Sequence, residues 1–435
     1  MGILIRNGRI VDPGSRTDDI LDLYLANGEV QEAGKHLEMR TTGDQVIDAE
    51  GCVVLPGLVD LHVHFRDPGQ TDREDLASGA AAAAHGGVTS VVAMPNTVPP
   101  IDTAERFLDV KNRAAELGSI HIYQAGSLTM GQEGKEVSDI PGMALAGVRA
   151  LSEDGKSVLN ARVCREAFMA AARYHIPVLD HCEDMDLRNG GCMNEDASSE
   201  RLGLPGICNA TEDVIAARDI ALARDTGAQL HLCHCSTEGT AEMMEVIREK
   251  QIPGITAEVC PHHLLLTSED IKTDDPNYKM NPPLRTRRDV QALLKGLEDG
   301  SFQVISTDHA PHTAESKMGS MRDASFGIVG LETSFALIYT ELVEKGVLTL
   351  TQLVEKMSLN PARILGIKAG ALLPGMPADV LIADISQEYR IDAGTFLSKG
   401  KNTPFNGWKV KGRPLFTIAG GKLVYHDLSQ EGRIR

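Results

Sequence analysis

Short apolar runs broken by turn residues open and close the chain, and a different rhythm fills the space between. Ile3-Leu4-Ile5, then Arg9-Ile10-Val11 before Asp12-Pro13-Gly14, then Leu21-Asp22-Leu23-Tyr24-Leu25 before Ala26-Asn27-Gly28 have the texture of short antiparallel strands. The tail from about residue 367 repeats it, with strands at Ala378-Asp379-Val380-Leu381-Ile382-Ala383 and Leu415-Phe416-Thr417-Ile418-Ala419 and a hairpin turn at Gly420-Gly421. Neither end is long enough to bury a core alone. Residues 1–54 and 367–435 are therefore expected to pair into one small β-sandwich domain.

Between them, over residues 55–366, strand, loop and helix alternate. Strands are expected to begin near Leu58, Val88, His121, Gly147, Val178, Gln229, Thr256 and Val304. Helices are expected over Leu76–His85, Ala104–Leu117, Val163–Tyr174, Ala210–Arg224, Glu238–Lys250 and Arg287–Gly300. Eight such units predict an α/β fold, a closed (β/α)8 TIM barrel with its site at the C-terminal strand ends. A doubly wound open sheet is the alternative, but no GxGxxG opens any helix.

Composition narrows the partners. A formal charge of −18 over 435 residues argues against nucleic acid or an anionic membrane. The chain start lacks a signal peptide's basic flank and long apolar core, and no apolar run is long enough to span a bilayer. The eight cysteines form no CxxC pair, as expected of reduced, buried thiols in a cytoplasmic protein.

The candidate chemistry sits at the strand ends. Alternate side chains of a strand share a face, so Asp60-Leu61-His62-Val63-His64-Phe65-Arg66 turns His62 and His64 one way and Leu61, Val63 and Phe65 the other. Alone, such a pair reads as two hydrogen-bonded histidines. Later strands repeat the pattern: Val178-Leu179-Asp180 ends in His181, Leu230-His231-Leu232-Cys233 in His234, and Val304-Ile305-Ser306-Thr307 in Asp308. Strand four, Gly147 to Ser152, runs into Glu153-Asp154-Gly155-Lys156. Four histidines and two carboxylates exceed the needs of one ion, so two divalent metal ions per protomer, zinc, are expected to share a water. The assignment puts His62, His64 and Asp308 on one, His181 and His234 on the other, and a strand-four group between. Such a pair makes a hydrolytic hydroxide available near neutral pH, which suits attack on an amide-like carbonyl. Asp308, facing strand one, can keep one oxygen free and serve as the proton shuttle.

These residues resemble a known family. Pro56-Gly57-Leu58-Val59-Asp60-Leu61-His62-Val63-His64-Phe65-Arg66-Asp67-Pro68-Gly69 is similar to the first-strand motif of cyclic-amide amidohydrolases, and Arg66 with Pro68-Gly69 resembles class I dihydroorotases. Ala93-Met94-Pro95-Asn96-Thr97, Asp180-His181-Cys182-Glu183-Asp184, Pro261-His262-His263-Leu264, Met280-Asn281-Pro282-Pro283-Leu284-Arg285 and Ser306-Thr307-Asp308-His309-Ala310-Pro311-His312 extend the likeness, which is effectively full length. The resemblance implies a zinc-dependent barrel with a composite β-sandwich. It also implies reversible hydrolysis of (S)-dihydroorotate to N-carbamoyl-L-aspartate, the third step of pyrimidine biosynthesis. It implies that Arg66, Asn96 and His312 hold the substrate carboxylate, that His64 stands beside the substrate, and that Asn281 and Phe326-Gly327 contact its ring. Asp154 is implied as the bridge between the metals, with Glu153 replacing a commoner aspartate. A carboxylated Lys156, as in hydantoinases, stays the alternative bridge. The expected partners are the small-molecule substrate, a second copy in a homo-oligomer (a dimer) and an associated carbamoyltransferase.

Other residues read as structural. His262 and His263 are expected beside the site or in the core, His231 packed outside the barrel, and His309 turned away from the ligands. Cys233 and Cys235 should face away from His234. The alanine run from Gly79 to Ala84 reads as a close-packed helix, and Glu341, Glu344 and Lys345 as a solvated helix face. The stretch from Asn189 to Gly206 is either a lid or a plain surface loop. Competing functions are another cyclic amidohydrolase, allantoinase or dihydropyrimidinase, and a non-catalytic partner of a carbamoyltransferase. Arg66 and Asn96 argue against the first, since a neutral ring offers no carboxylate. The intact ligand set argues against the second.

Overall fold

The computed structural model describes residues 2–434. Its centre is a ring of parallel strands: Leu58–Val63, Val88–Ala93, a bent third strand (His121–Gln124 and Gly126–Ser127), Leu151–Ser152, Val178–Asp180, Leu230–Leu232, Ile255–Val259 and Val304–Ile305. The third strand changes partners at its bend. Ala125 N donates to Ala93 O at 2.9 Å on one side, and Gly126 N donates to Ala150 O at 3.1 Å on the other. The ring closes where Val63 bridges His309 in parallel and His64 N donates to His309 O at 2.8 Å. This is the expected (β/α)8 barrel. Strand four is shorter than the sequence suggests, because left-handed Gly147 ends the helix Ile140–Ala146.

Helices follow each strand. Leu76–His85 begins at a capping box between Asp75 and Ser78, and Thr103 and Asn160 cap the starts of Ala104–Leu117 and Ala161–Arg173. Outward strand residues such as Val91, Val178, Leu230 and Val259 pack with Phe107, Phe168, Ile215, Met244 and Leu293 of the helix layer. A separate cluster fills the ring from inside, with Val59, Leu61, Val92, Ala125, Leu179, Cys233 and Val304. Leu61 therefore does not share a face with Val63 and Phe65, as alternation implied. The register of strand one against strand two slips between Asp60 and Val63, and that irregularity resets the parity.

Both chain ends meet in one sheet. Its strand order is Lys422–His426, Arg413–Ala419, Val380–Asp384, Val53–Pro56, Gly2–Asp12, Thr17–Ala26 and Glu29–Gly34, with Gln45–Asp48 beside the first half of Gly2–Asp12. The two short runs expected near the N-terminus are one strand with a bulge. Asn7 takes φ 60° there, and its N–H goes to Asp22 Oδ1 at 3.0 Å. Ile5, Ile10, Leu23, Val54, Ile382 and Phe416 form this sheet's own core, while Val53, Leu55 and Leu381 belong to the barrel's outer core. The sheet is thus pinned to the barrel through its second face. The stretch between strand five and its helix is packed rather than loose. It carries helices Met185–Arg188 and Ala197–Leu202, and Arg285 Nη1 ties it down through Asn194 Oδ1 at 3.1 Å and Ile207 O at 2.9 Å.

The helix Leu76–His85 presses on the back of strand one. A Cβ at Gly79 would lie 2.4 Å from Cδ1 of Phe65, which sits between His64 and Arg66. In an open helix Gly→Ala stabilises by about 0.5–1 kcal/mol. Here Gly79→Ala is expected to destabilise instead, by about 1–3 kcal/mol, because the buried ring must move. Urea unfolding midpoints check the sign.

Candidate metal centre and substrate pocket

The expected ligands lie where the barrel strands stop. Non-glycine residues take positive φ at Arg66 (59°), His234 (34°) and Asp308 (47°). Each such residue stores roughly 1–3 kcal/mol of backbone strain, and each turns a side chain out of the strand pleat toward the barrel mouth. His234 shows the consequence for parity. Cys233 lies inside the barrel near His62 instead of facing away from the site, because the left-handed His234 has already left the strand.

Six side chains converge, all of them buried: His62, His64, Asp154, His181, His234 and Asp308. Asp154 is their centre. Its Oδ1 lies 3.0 Å from His62 Nε2, 3.4 Å from His181 Nδ1 and 3.6 Å from His234 Nε2, and its Oδ2 lies 3.5 Å from His64 Nε2. Asp308 Oδ1 is 3.1 Å from His64 Nε2 and 3.7 Å from His62 Nε2. Two sets have ligating atoms close enough for one ion each, His62–His64–Asp154 and Asp154–His181–His234, and Asp154 is in both. His62 Nε2 and Asp154 Oδ1 approach closely yet make no aligned hydrogen bond. Imidazole nitrogens and carboxylate oxygens aimed at shared points in this way fit divalent metal, and the residues present are a suitable donor set. Burial opposes the charge of Asp154, but the His62 and His64 imidazoles hold its carboxyl well below the usual range. Burial likewise opposes ionisation of Asp308, yet the His64 hydrogen bond and the surrounding imidazoles hold it at about 2.

A layer of buried acids orients the ligands. Glu258 Oε1 is 3.3 Å from His62 Nδ1, and Oε2 accepts from Ser306 Oγ at 2.5 Å and contacts His231 Nε2 at 3.0 Å. His231 is therefore inside the barrel, not outside as parity suggested, and its Nδ1 meets Thr256 Oγ1 at 2.8 Å. Asp60 joins strands one and eight by accepting from His62 N at 3.0 Å and Thr307 N at 3.2 Å, and burial raises its carboxyl to about 6. Glu183 Oε2 lies 3.0 Å from His181 Nε2. Carboxylates behind metal-facing histidines fix ring orientation and tautomer. Sequence reading missed Asp60, Glu183 and Glu258; an acid inside an apolar strand was an available signal for Asp60 and Glu258, whereas Glu183 lies past the end of strand five. Glu153 points elsewhere, accepting from Leu128 N at 3.1 Å and Thr129 N at 3.0 Å. Lys156 is exposed and donates to Gln132 O at 3.1 Å. His263 Nε2 meets Pro282 O at 2.9 Å, and His309 Nδ1 accepts from Gly330 N at 3.2 Å.

Above the cluster is a cavity of about 160 Å³ lined by His64, Arg66, Asn96, Asn281, Phe326 and Gly327 among others. A larger one of about 540 Å³ lies far from these ligands, between Phe107, Lys111, Tyr123 and Lys422, and gathers no carboxylates. Asn96 accepts at Oδ1 from His64 Nδ1 at 3.1 Å and donates to Asp154 Oδ2 at 3.2 Å, so it also braces the ligands. His312 does not line the cavity. It stands behind, with Nε2 at 2.7 Å from Phe326 O and 3.4 Å from Arg66 Nη2, and burial with the neighbouring Arg66 lowers its imidazole to about 2. Gly327 has φ 149°, and a Cβ there would strike Ala310 O at 2.5 Å. Two further cations lay outside the sequence reading. Lys317 donates to the carbonyls of Lys279, Ser325 and Gly327, each at 3.0 Å, and so fastens the Phe326-Gly327 wall. Arg188 also lines the cavity.

Residues 53–424 match the Amidohydrolase family. A dihydroorotase of Lactiplantibacillus plantarum is 46% identical over 435 residues, covering 99% of this chain and 100% of its own. A dihydroorotase of Acetivibrio thermocellus is 42% identical over 425 residues, covering 98% of this chain and 99% of its own. Among solved structures, an L-hydantoinase (dihydropyrimidinase) from Arthrobacter aurescens superposes with TM-score 0.85 at 26% identity, covering 98% of this chain and 96% of that one.

Proposed function

The chain belongs to the amidohydrolase family, and on that footing we propose that it is a dihydroorotase. It cleaves the ring amide of (S)-dihydroorotate to N-carbamoyl-L-aspartate and closes that ring in the biosynthetic direction. One observation carries the choice among cyclic amides. Arg66 is a buried guanidinium at the wall of the cavity with no salt-bridge partner among the described residues. Burial, with Arg73 nearby, lowers it to about 10, so an anion delivered by the substrate stabilises it. A hydantoin or dihydrouracil brings no such charge.

His62, His64, His181, His234, Asp154 and Asp308 would hold two divalent ions, zinc by donor type, with Asp154 shared. When bound, the metal supplies Lewis acidity at the amide carbonyl and acidifies water there. The chain's own groups do the rest. Arg66 and Asn96 fix the substrate carboxylate, His312 donates to the Phe326 carbonyl and so holds the wall beside Arg66, and Asn281 with Phe326-Gly327 borders the ring. Asp308 takes the proton of the attacking water and delivers it to the departing ring nitrogen as the C–N bond breaks. In cyclisation the same carboxyl reverses both transfers. Ionised at neutral pH, it begins hydrolysis as the base.

The parent enzyme is expected to hydrolyse dihydroorotate in preference to dihydrouracil or allantoin, and Arg66→Ala to lose roughly 2–4 kcal/mol of transition-state binding in kcat/KM. A parent that prefers a neutral ring would put the dihydropyrimidinase reading in its place.

Asp308→Asn keeps the shape of the side chain and removes the titrating group. Both directions should fall by about two to four orders of magnitude while the ligand histidines keep much of the metal. Steady-state rates and elemental analysis on one preparation check this. Near-parent turnover would leave Asp308 as a ligand only.

A further inference from the structure

The cavity holds two arginines in opposite electrostatic situations. Arg66 has no carboxylate partner, as described above. Arg188 ends the short helix Met185–Arg188 that follows the ligand His181. Its Nε lies 3.4 Å from Glu183 Oε1, and its guanidinium sits 4.7 Å from the centroid of the Phe326 ring. Glu183 also holds His181 Nε2, and Asn281 lies against the same carboxylate. Arg188 is thus a braced fork lining the cavity on the strand-five side, whereas Arg66 and Asn96 come from strands one and two.

A guanidinium beside its own carboxylate is a strong donor with little net charge. It suits a neutral carbonyl oxygen, while Arg66, with no carboxylate within ion-pair distance, suits a carboxylate. Both ends of the proposed reaction carry such an oxygen, on the ureido group that flanks the scissile nitrogen. Asn281, Phe326 and Arg188 line the same cavity as Arg66, in which that group must lie once the carboxylate is on Arg66. We propose that Arg188 donates to the ureido oxygen of the substrate and so selects ureido-bearing acids over simple dicarboxylates. This rests on the dihydroorotase reading. Glu183 is the positioning residue, coupling the fork to His181. Phe326 stacks on the guanidinium and limits it to that edge of the cavity.

The test compares inhibitors as well as turnover. In Arg188→Gln, KM for dihydroorotate and for N-carbamoyl-L-aspartate should rise about ten- to a hundredfold, and inhibition by N-carbamoylglycine should weaken similarly. Inhibition by succinate, which has carboxylates but no ureido group, should stay at the parent value. Arg188→Lys should fall between, since it keeps the charge and loses the fork. Metal content equal to the parent's in both variants shows that the ligand cluster is intact. Equal weakening by succinate would overturn the proposal in favour of a general anion contact. Parent-like KM and inhibition would overturn it in favour of packing on Phe326. A parent inactive on dihydroorotate overturns the function and this inference together, whereas an active parent with an unaffected variant overturns the inference alone.

Discussion

One buried carboxylate sets the terms for the rest of the barrel mouth. Asp154 has imidazoles from strands one, five and six within 3.6 Å, and Asn96 from strand two on its other oxygen. A carboxylate so far from water is unfavourable alone, and so are several imidazoles packed at this spacing. Each is compensated by the others, and their donor atoms are placed to surround a divalent cation. That mutual dependence explains why strands one, six and eight end in strained, left-handed residues. The strain turns His234, Asp308 and Arg66 to where the shared charge needs them.

The support beneath is polar where a barrel of this kind is usually apolar. Glu258 sits among His62, His231 and Ser306, and Asp60 ties strand one to strand eight directly behind the ligands. These acids act on both stability and chemistry. Asp60 satisfies the backbone N–H groups of His62 and Thr307, while Glu258 stands behind the His62 ring and holds His231. The pocket wall is organised in the same manner. Lys317 spends its three donors on backbone carbonyls around Phe326 and Gly327, so a wall formed by backbone is held as firmly as one formed by side chains.

Much of this was legible in the sequence because it follows from period and position. Alternating strands and helices pointed to the barrel, residues at the ends of strands one, five, six and eight pointed to His62, His64, His181, His234 and Asp308, and the family resemblance added Asp154; these six side chains do converge. The pairing of both termini followed from their inability to bury a core alone, and the sheet order bears that out. What failed was parity carried past a strand's regular part. His231 and Cys233 were placed on the wrong face because His234 is left-handed, and Leu61 because the register slips after Asp60. Alternation cannot report a bulge that tertiary contacts impose. The acids Glu183 and Glu258, and the cations Arg188 and Lys317, were missed for a different reason. Glu258 and Lys317 act on partners far away in the chain, and Glu183 meets His181 and Arg188 through a loop beyond strand five whose path alternation does not report.

Metal content per chain decides whether Asp154 is common to both proposed metal positions. The proposal requires about two divalent ions per parent chain. Asp154→Ala, folded by circular dichroism, should lose both rather than one, since each position gives up a ligand and the imidazoles lose their counter-charge. An Asp154→Ala protein that keeps the parent's metal content would show that Asp154 is not the shared group, and the bridge would have to be sought at Lys156.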